Sequence, residues 1–182
     1  MCIVLLAWRT CPGVPLVLAA NRDEYHQRPT RAAGFWDDAP AIYGGRDLQE
    51  GGSWLALDRS GRVAAVTNIR EPGPRRSGAR SRGLLVSEFL RGGFAPAEYL
   101  RQVARDRYDG FNLLVGDGDG LWFMDSRVAG PVALGAGIYG ISNGELDCPW
   151  PKVVRGKTEL QRILSQRPGH HPESVTEMFS LL

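Results

Sequence analysis

The first 24 residues, MCIVLLAWRTCPGVPLVLAANRDE, decide how this chain begins to fold. Two apolar runs, residues 2–8 and 16–20, flank a turn-forming segment that holds two prolines and a glycine. Short apolar runs rich in branched side chains are typical of strands that are buried on both faces. We therefore predict a β-hairpin, which brings the polar residues after the second run back beside Cys2.

The length and composition of the chain exclude several kinds of protein. The 182 residues, 43% of them hydrophobic, suffice for one domain with its own core. Three cysteines with no Cys-x-x-Cys pair argue against a disulfide framework and against a zinc site, and favour a reducing compartment. No apolar run approaches the ~18–20 residues that cross a bilayer, and the start lacks the pattern of a signal peptide. We predict a cytoplasmic protein without an integral membrane segment or a bound metal.

The net charge of +2 is unevenly distributed. Residues 70–83 carry five arginines and one acid, which leaves the remainder of the chain with a net charge of −2. Because no basic face remains elsewhere, we do not expect a nucleic-acid partner. Guanidinium groups match carboxylates and phosphates, so this segment suits an anionic ligand, and a solvated loop would suit it equally well.

Further strands and loops follow from alternating apolar and turn-forming stretches. Hairpins are predicted over residues 53–69 and 111–124, with another strand over residues 138–141. Residues 28–52 are predicted to form a long loop, and residues 71–81 a mobile loop rich in proline, glycine and arginine.

Apolar residues at helical spacing predict four helices. They cover residues 83–91, a segment that begins near Pro96, residues 152–165 and residues 173–181. Because strands and helices fall in blocks, we predict a single α+β domain over residues 1–182, in which helices cover antiparallel sheets.

Cys2 is the first candidate for chemistry. If Met1 is removed, Cys2 becomes the first residue, and its α-amine, with an ordinary pKa near ~7.7–8.0, could act as the base for its own thiol. Such a pair needs no histidine. The alternative is a small hydrophobic residue that opens a buried strand.

Polar residues at strand ends supply further candidates. The predicted hairpin brings residues 21–24, Asn-Arg-Asp-Glu, beside Cys2, where Asp23 could hold the α-amine; the alternative is a turn that ends the strand. Asn68 and Asn143 each follow an apolar strand, and their amides could donate to a developing oxyanion. Both asparagines would also suit ordinary turns.

Six motifs along the chain together resemble the NRDE family, the homologues of transport and Golgi organisation protein 2. They are MC at 1–2, NRDE at 21–24, GGRD at 44–47, GGSW at 51–54, VTN at 66–68 and SRG at 81–83. The match runs in order to about residue 160. The resemblance implies an N-terminal-nucleophile (Ntn) hydrolase-like fold, a four-layer αββα sandwich of antiparallel sheets.

The chain is more distantly similar to bile-salt hydrolases and penicillin V acylases. Their catalytic pattern implies a set of site residues here, namely Cys2, Asn21, Asp23, Asn68 and Asn143. Where those enzymes have an arginine before the asparagine, this chain has Ala20. The late arginine of the acylases and the Arg-Ser-Ser element of NRDE proteins have no counterpart after Ser165, so we expect a form shortened at its C-terminal end.

The resemblance also implies roles outside catalysis: haem movement, acyl-lipid or acyl-coenzyme A handling, and secretory-pathway organisation. Guanidinium groups would hold the anionic part of such a ligand and an aromatic ring its flat or apolar part. The candidate ligand-binding residues are Arg22, Trp54, Arg46 and Arg82. The Cys-Pro dipeptides at 11–12 and 148–149 could serve haem, and His170-His171 a metal, although loops explain all of these.

Two hypotheses follow. The favoured one is a protein that binds and mobilises a small hydrophobic anionic ligand, haem or acyl-lipid or acyl-coenzyme A, in the cytosol. The other is an N-terminal cysteine hydrolase of linear amides with Cys2 as its nucleophile, which would need no cofactor. A purely structural interaction module would need neither a pocket nor a reactive thiol. The oligomeric state is left open.

Overall fold

The computed structural model describes residues 2–70, 73, 76–166 and 171–182. The described strands, in chain order, are β1 (Ile3–Cys11), β2 (Val14–Asn21), β3 (Thr30–Trp36), β4 (Ala39–Asp47), β5 (Leu55–Asp58), β6 (Val63–Asn68), β7 (Phe111–Gly116), β8 (Leu121–Asp125), β9 (Val132–Leu134) and β10 (Gly137–Ile141). The described α-helices are α1 (Gly83–Arg91), α2 (Pro96–Gln102), α3 (Pro151–Gln166) and α4 (Pro172–Phe179). Antiparallel sheets with helices confirm the predicted α+β class.

The chain divides into two compact units, which we call the first unit (Met1–Asp23 and Leu134–Leu182) and the second unit (Glu24–Ala133). In the first unit β1 lies between β10 and β2 in a three-stranded sheet. The predicted first hairpin is confirmed, since β1 pairs antiparallel with β2. Every residue from Ile3 to Trp8 of β1 is buried, so both faces of this strand are covered, which explains why its sequence is apolar without alternation.

Helices α3 and α4 cover one face of this sheet. Alternate residues of β1 (Ile3, Leu5 and Ala7) share a buried cluster with Leu160 of α3 and Met178 of α4. Because side chains alternate along a strand, Cys2 belongs to the opposite face, with Val4 and Leu6.

Close packing of α3 on the sheet depends on two glycines. A Cβ atom at Gly156 of α3 would lie 2.7 Å from Leu5 Cδ1, and one at Gly140 of β10 would lie 2.7 Å from Val153 Cγ1. The absence of side chains at these two positions therefore sets how near α3 comes to the sheet that carries Cys2.

The second unit is built on a seven-stranded sheet in the order β3-β4-β5-β6-β7-β8-β9. The hairpins predicted around residues 53–69 and 111–124 are confirmed as β5–β6 and β7–β8. Helices α1 and α2 also form where apolar spacing predicts them, and they contribute Phe89 and Leu100 to the core of this unit.

The long loop predicted over residues 28–52 is wrong, because this stretch forms the antiparallel strands β3 and β4. Most of β3 is solvent-exposed, so it lacks the apolar alternation by which a strand is recognised. The strand β4 also contains glycines, which in a sequence are typical of turns and loops. At Gly44 a Cβ atom would lie 2.6 Å from the Cβ of Ala56, so glycine is there for close strand packing rather than for a turn. The short strand β9 was likewise not predicted.

None of the helices in the described ranges has the length and apolar character needed to cross a membrane.

Candidate functional site

The site predicted around Cys2 begins at the start of the central strand of the first unit. Ile3 pairs with Asn21 on one side, and Val4 pairs with Ile141 on the other. Cys2 and Arg22 are the next residues beyond the Ile3–Asn21 pair, and Ser142 and Asn143 follow directly after β10. Cys2 is partly exposed.

The Cys2 thiol contacts the main chain of Asp23. The Asp23 N–H donates to Cys2 Sγ at 3.4 Å, and Sγ lies 3.8 Å from the Asp23 carbonyl oxygen. The N–H and the carbonyl of one residue thus both face the sulfur. The hairpin therefore brings the thiol and Asp23 together, through the backbone of Asp23.

Two donors that the sequence analysis missed hold the Cys2 carbonyl oxygen. Ser142 Oγ donates to it at 2.8 Å, and Lys152 Nζ donates to it at 3.1 Å. Ser142 is fully buried just after β10, and Lys152 stands in the first turn of α3. No local pattern in the sequence marks either donor, since they lie 140 and 150 residues from Cys2 along the chain.

The two asparagines of the first unit lie in different surroundings. Asn143 is buried and follows Ser142 directly, two residues after the end of β10. Asn21 pairs with Ile3, so its side chain belongs to the helix-covered face, and its Nδ2 donates to the Leu182 carbonyl at 3.0 Å. The oxyanion role of Asn143 stays a prediction, whereas Asn21 ties the end of β2 to Leu182.

The remaining predicted site residues belong to the second unit. Asn68 is the exposed last residue of β6, and Trp54 packs partly buried against the core of that unit. Arg82 Nη1 donates to the Gly110 carbonyl at 3.0 Å. Catalytic or ligand-binding roles for these residues stay predictions.

Arg46 is held by several neighbours. Its guanidinium lies 4.3 Å from the centre of the Trp36 ring, donates to Asp38 Oδ1 at 2.7 Å and donates to the Gly51 carbonyl at 3.0 Å. The same aspartate pairs with Arg91 of α1 at 2.6 Å, and the two arginines hold the pKa of the Asp38 carboxyl below its ordinary value. These contacts give Arg46 a structural role in the second unit. Its ligand-binding role stays a prediction.

Asp47, at the end of the GGRD motif, organises the turn that follows β4. Its Oδ2 pairs with Arg28 at 2.6 Å, and its Oδ1 accepts from the N–H groups of Gln49 at 3.0 Å and Glu50 at 3.3 Å. Burial by itself raises the pKa of the Asp47 carboxyl, but Arg28 and the two N–H groups outweigh it, so the pKa lies below its ordinary value. This motif residue is therefore charged and structural.

The arginine-rich segment is tied to residues 105–110 through its described part. The N–H of Arg76 donates to Asp109 Oδ1 at 3.0 Å, and Arg80 donates to the Tyr108 hydroxyl at 2.9 Å. Arg80 also pairs with Glu88, and that hydrogen bond raises the pKa of its guanidinium. Of the predicted mobile loop, residues 71, 72, 74 and 75 lie outside the described residues.

No cluster of three or more histidine, cysteine, aspartate or glutamate side chains that could hold a metal occurs in the part of the chain that the structure describes. His170 lies outside that part, and His171 Nδ1 accepts from the Glu173 N–H at the start of α4. Cys11 and Cys148 are free thiols.

The first unit also holds a cavity of about 690 Å³ along α3. Its apolar wall includes Ile138, Val153 and Leu164. Lys157 lines it as well, paired with Asp147 at 2.7 Å. This volume falls in the range of small-molecule pockets, about 300–1,000 Å³.

A solved structure with a similar fold is that of the Caenorhabditis elegans ortholog of N-acylethanolamine-hydrolyzing acid amidase. The two superpose with a TM-score of 0.52 over 98% of this chain and 85% of that chain, at 11% sequence identity. The likeness confirms the predicted Ntn-hydrolase-like fold and, at this identity, shows the fold alone.

Sequence relatives are closer. A bovine (Bos taurus) transport and Golgi organization protein 2 homolog is 39% identical over 172 residues, which are 86% of this chain and 62% of that protein. A mouse (Mus musculus) homolog is 35% identical over 181 residues, 91% of this chain and 65% of that protein. The chain thus spans less than two thirds of the length of either relative. The family model described as Transport and Golgi organisation 2 matches residues 1–182. The chain therefore belongs to the Transport and Golgi organisation 2 family, as its NRDE motifs predicted.

Proposed function

We propose that the protein is a cysteine hydrolase of linear amides and that Cys2 is its nucleophile. The observation that supports this proposal is that two atoms of Cys2 are held by hydrogen bonds. The Asp23 N–H contacts the Cys2 sulfur, and Ser142 and Lys152 bind the Cys2 carbonyl oxygen. Together these three donors fix both the sulfur and the carbonyl oxygen of Cys2, which is the positioning that a nucleophile needs.

The chemistry follows from a free α-amine at Cys2. The amine takes the thiol proton, and the thiolate attacks the carbonyl carbon of the amide. The carbon–nitrogen bond breaks as the leaving nitrogen takes that proton, which leaves an acyl thioester on Sγ. Water then hydrolyses the thioester, and a carboxylic acid and the free thiol result. The buried Asn143 amide, next in the chain to Ser142, would donate to the oxyanion.

The substrates to test are chosen by analogy with a protein of similar fold. The C. elegans protein of similar fold is named for hydrolysing N-acylethanolamines, which are linear amides. An N-acyl amide with an aliphatic chain is therefore the first substrate to test on this chain.

The test is the mass of the purified chain before and after exposure to N-acyl amides. We expect a mature protein that begins at Cys2, release of free fatty acid, and an acyl adduct on the peptide that contains Cys2. Cys2→Ala should abolish both signals, whereas Cys148→Ala, which removes another free thiol of the first unit, should keep them. A mature chain that retains a residue before Cys2, or hydrolysis that survives Cys2→Ala, would refute the proposal.

The cavity along α3 favours a second candidate function, the binding of a small hydrophobic anion such as haem or an acyl-coenzyme A. Its apolar walls would take the chain or ring, and Lys157 would offer a cation to the acidic end.

Titration with haem and with palmitoyl-coenzyme A tests this candidate. Val154→Trp would fill the cavity from an exposed position that lines it, and we expect it to weaken binding at least about tenfold. Val175→Trp, an exposed valine on α4 that is not among the lining residues, is the matched control and should leave binding unchanged. Equal binding by both variants would reject the cavity as the binding site.

A further inference from the structure

We propose that Lys152 is a positioning residue for Cys2: with Ser142 it fixes the Cys2 carbonyl group, and its ammonium charge keeps the neighbouring amine and thiol reactive near neutral pH. This inference rests on the proposed function and names what sets the reactivity of that same site.

The first step is geometric. Lys152 Nζ lies 3.1 Å from the Cys2 carbonyl oxygen. The carbonyl carbon is bonded to the Cα atom that carries both the amine and the thiol-bearing side chain. Standard backbone dimensions therefore place the ammonium on the order of 6 Å or less from the Cys2 nitrogen. A charge at that distance acts on both reactive groups.

The second step is electrostatic. A cation beside an amine disfavours the protonated amine, and a cation beside a thiol favours the thiolate. Both effects raise the fraction of molecules in which, at pH 7, the amine is neutral or the thiol is ionised. Lys152 therefore acts in the direction that nucleophilic attack requires.

Other charged groups of the first unit surround the same place. Arg22 and Asp23 come from the end of β2, and Arg155 and Glu159 of α3 line a cavity of about 350 Å³ together with Ile3 and Lys152. The cavity is also lined by Ser180, Leu181 and Leu182, whose side chains are uncharged, and Leu182 bears the α-carboxylate of this chain. Among these groups of both signs, Lys152 is the cation whose contact with the Cys2 carbonyl is direct.

The third step distinguishes the effect of the Lys152 charge from the effect of a hydrogen bond that only holds the Cys2 carbonyl in place. Ser142 holds the same oxygen at 2.8 Å but carries no charge. Lys152 is also anchored independently of Cys2, because its ammonium lies 5.5 Å from the centre of the Trp150 ring. Removing Ser142 should therefore disturb the position of Cys2, while removing the Lys152 charge should also move the pH at which Cys2 reacts.

The experiment measures the rate of iodoacetamide alkylation at Cys2 between pH 5.5 and 9.5, read from peptide masses on the full chain. We expect Lys152→Met to move the midpoint of the profile by about one pH unit to higher pH, which slows alkylation about tenfold at pH 7. Lys152→Arg should restore the original midpoint. Arg9→Met is the matched control, since it removes a cation at the other end of β1, where Arg9 lies 4.7 Å from the centre of the Trp8 ring, and it should keep the original profile.

Lys152→Gln serves as a second neutral variant if Lys152→Met does not fold, as judged by circular dichroism. A neutral variant that keeps the original midpoint would overturn the inference alone, since Lys152 would then be only structural. If Cys2 reacts no faster than Cys11 and Cys148 in the unaltered chain, the proposed function falls and this inference falls with it. The inference is supported if the midpoint of the alkylation profile moves in Lys152→Met and keeps its original value in Lys152→Arg.

Discussion

Replacing Asp47 by asparagine tests whether the GGRD motif is structural. Asp47 is 8% exposed, and the side chain of its partner Arg28 is 21% exposed. Asparagine can still accept from the N–H groups of Gln49 and Glu50, but it places an NH₂ group or a neutral oxygen against the guanidinium. Breaking a buried ion pair from one side costs about 3–5 kcal/mol. Because Arg28 keeps some solvent contact, we expect a loss of about 2–3 kcal/mol in the free energy of unfolding.

The assay is urea denaturation of the two proteins at pH 7, followed by circular dichroism. Asp37→Asn is the matched control, since Asp37 pairs with Arg31 at 2.6 Å but is exposed, with 82% of its side chain accessible. Exposed pairs contribute about 0–1 kcal/mol, so this control should change stability little. A loss below about 0.5 kcal/mol for Asp47→Asn would refute the structural assignment of the motif.

The same pair predicts a pH dependence. The folded-state pKa of Asp47 lies below the ordinary value, which is about 3.9 in an unfolded chain. Its contribution to stability is therefore fully present above pH ~4 and is lost as the pH falls through the folded-state pKa. The stability gap between the unaltered protein and Asp47→Asn should stay constant from pH 5 to 8 and shrink on further acidification. A gap that widens in acid would contradict this sign.

Two further substitutions test the packing of each unit. Arg62→Met should lower the free energy of unfolding by about 2 kcal/mol, because the guanidinium donates to the carbonyl of Phe89 in α1 at 2.7 Å and to that of Phe94 just after α1 at 3.0 Å. Arg62→Lys should recover only part of the loss in the same urea assay. Gly156→Ala should cost about 1–3 kcal/mol, because its Cβ would lie 2.7 Å from Leu5 Cδ1. Gly93→Ala, where nothing lies within 4 Å of the added Cβ, should change the urea midpoint little. Equal midpoints for the two alanine variants would contradict the close approach of α3.

Three of the motifs shared with the family meet at one place in the second unit. The Gly51 N–H donates to the Asp47 carbonyl at 2.8 Å, the Asp47 N–H donates to the Gly52 carbonyl at 2.9 Å, and the Ser53 N–H donates to the Gly83 carbonyl at 3.1 Å. A Cβ atom at Gly52 would lie 2.3 Å from the carbonyl carbon of Gly83, so the two backbones need glycine to touch. The motifs GGRD, GGSW and SRG therefore share one structural role: their backbones bind one another at this place.

Most of the regular structure could be predicted from local patterns. The hairpin of β1 and β2 and the helix α1 were predictable because apolar runs and helical spacing agree there with the final burial. Strands β3 and β4 were not, since β3 is exposed and the glycines in β4 serve packing against Ala56 across the sheet. A glycine required by a neighbouring strand looks, in sequence, the same as a glycine required by a turn.

The family, the order of most elements and the approach of Cys2 to Asp23 could all be predicted from the amino-acid sequence. That approach follows from a short hairpin, where the register depends on nearby residues only. The contacts of Ser142 and Lys152 with the Cys2 carbonyl became visible only in the folded chain, since these residues lie 140 and 150 positions further along it. Contacts at that separation depend on how α3 and β10 pack around β1, and no local pattern of residues encodes such packing.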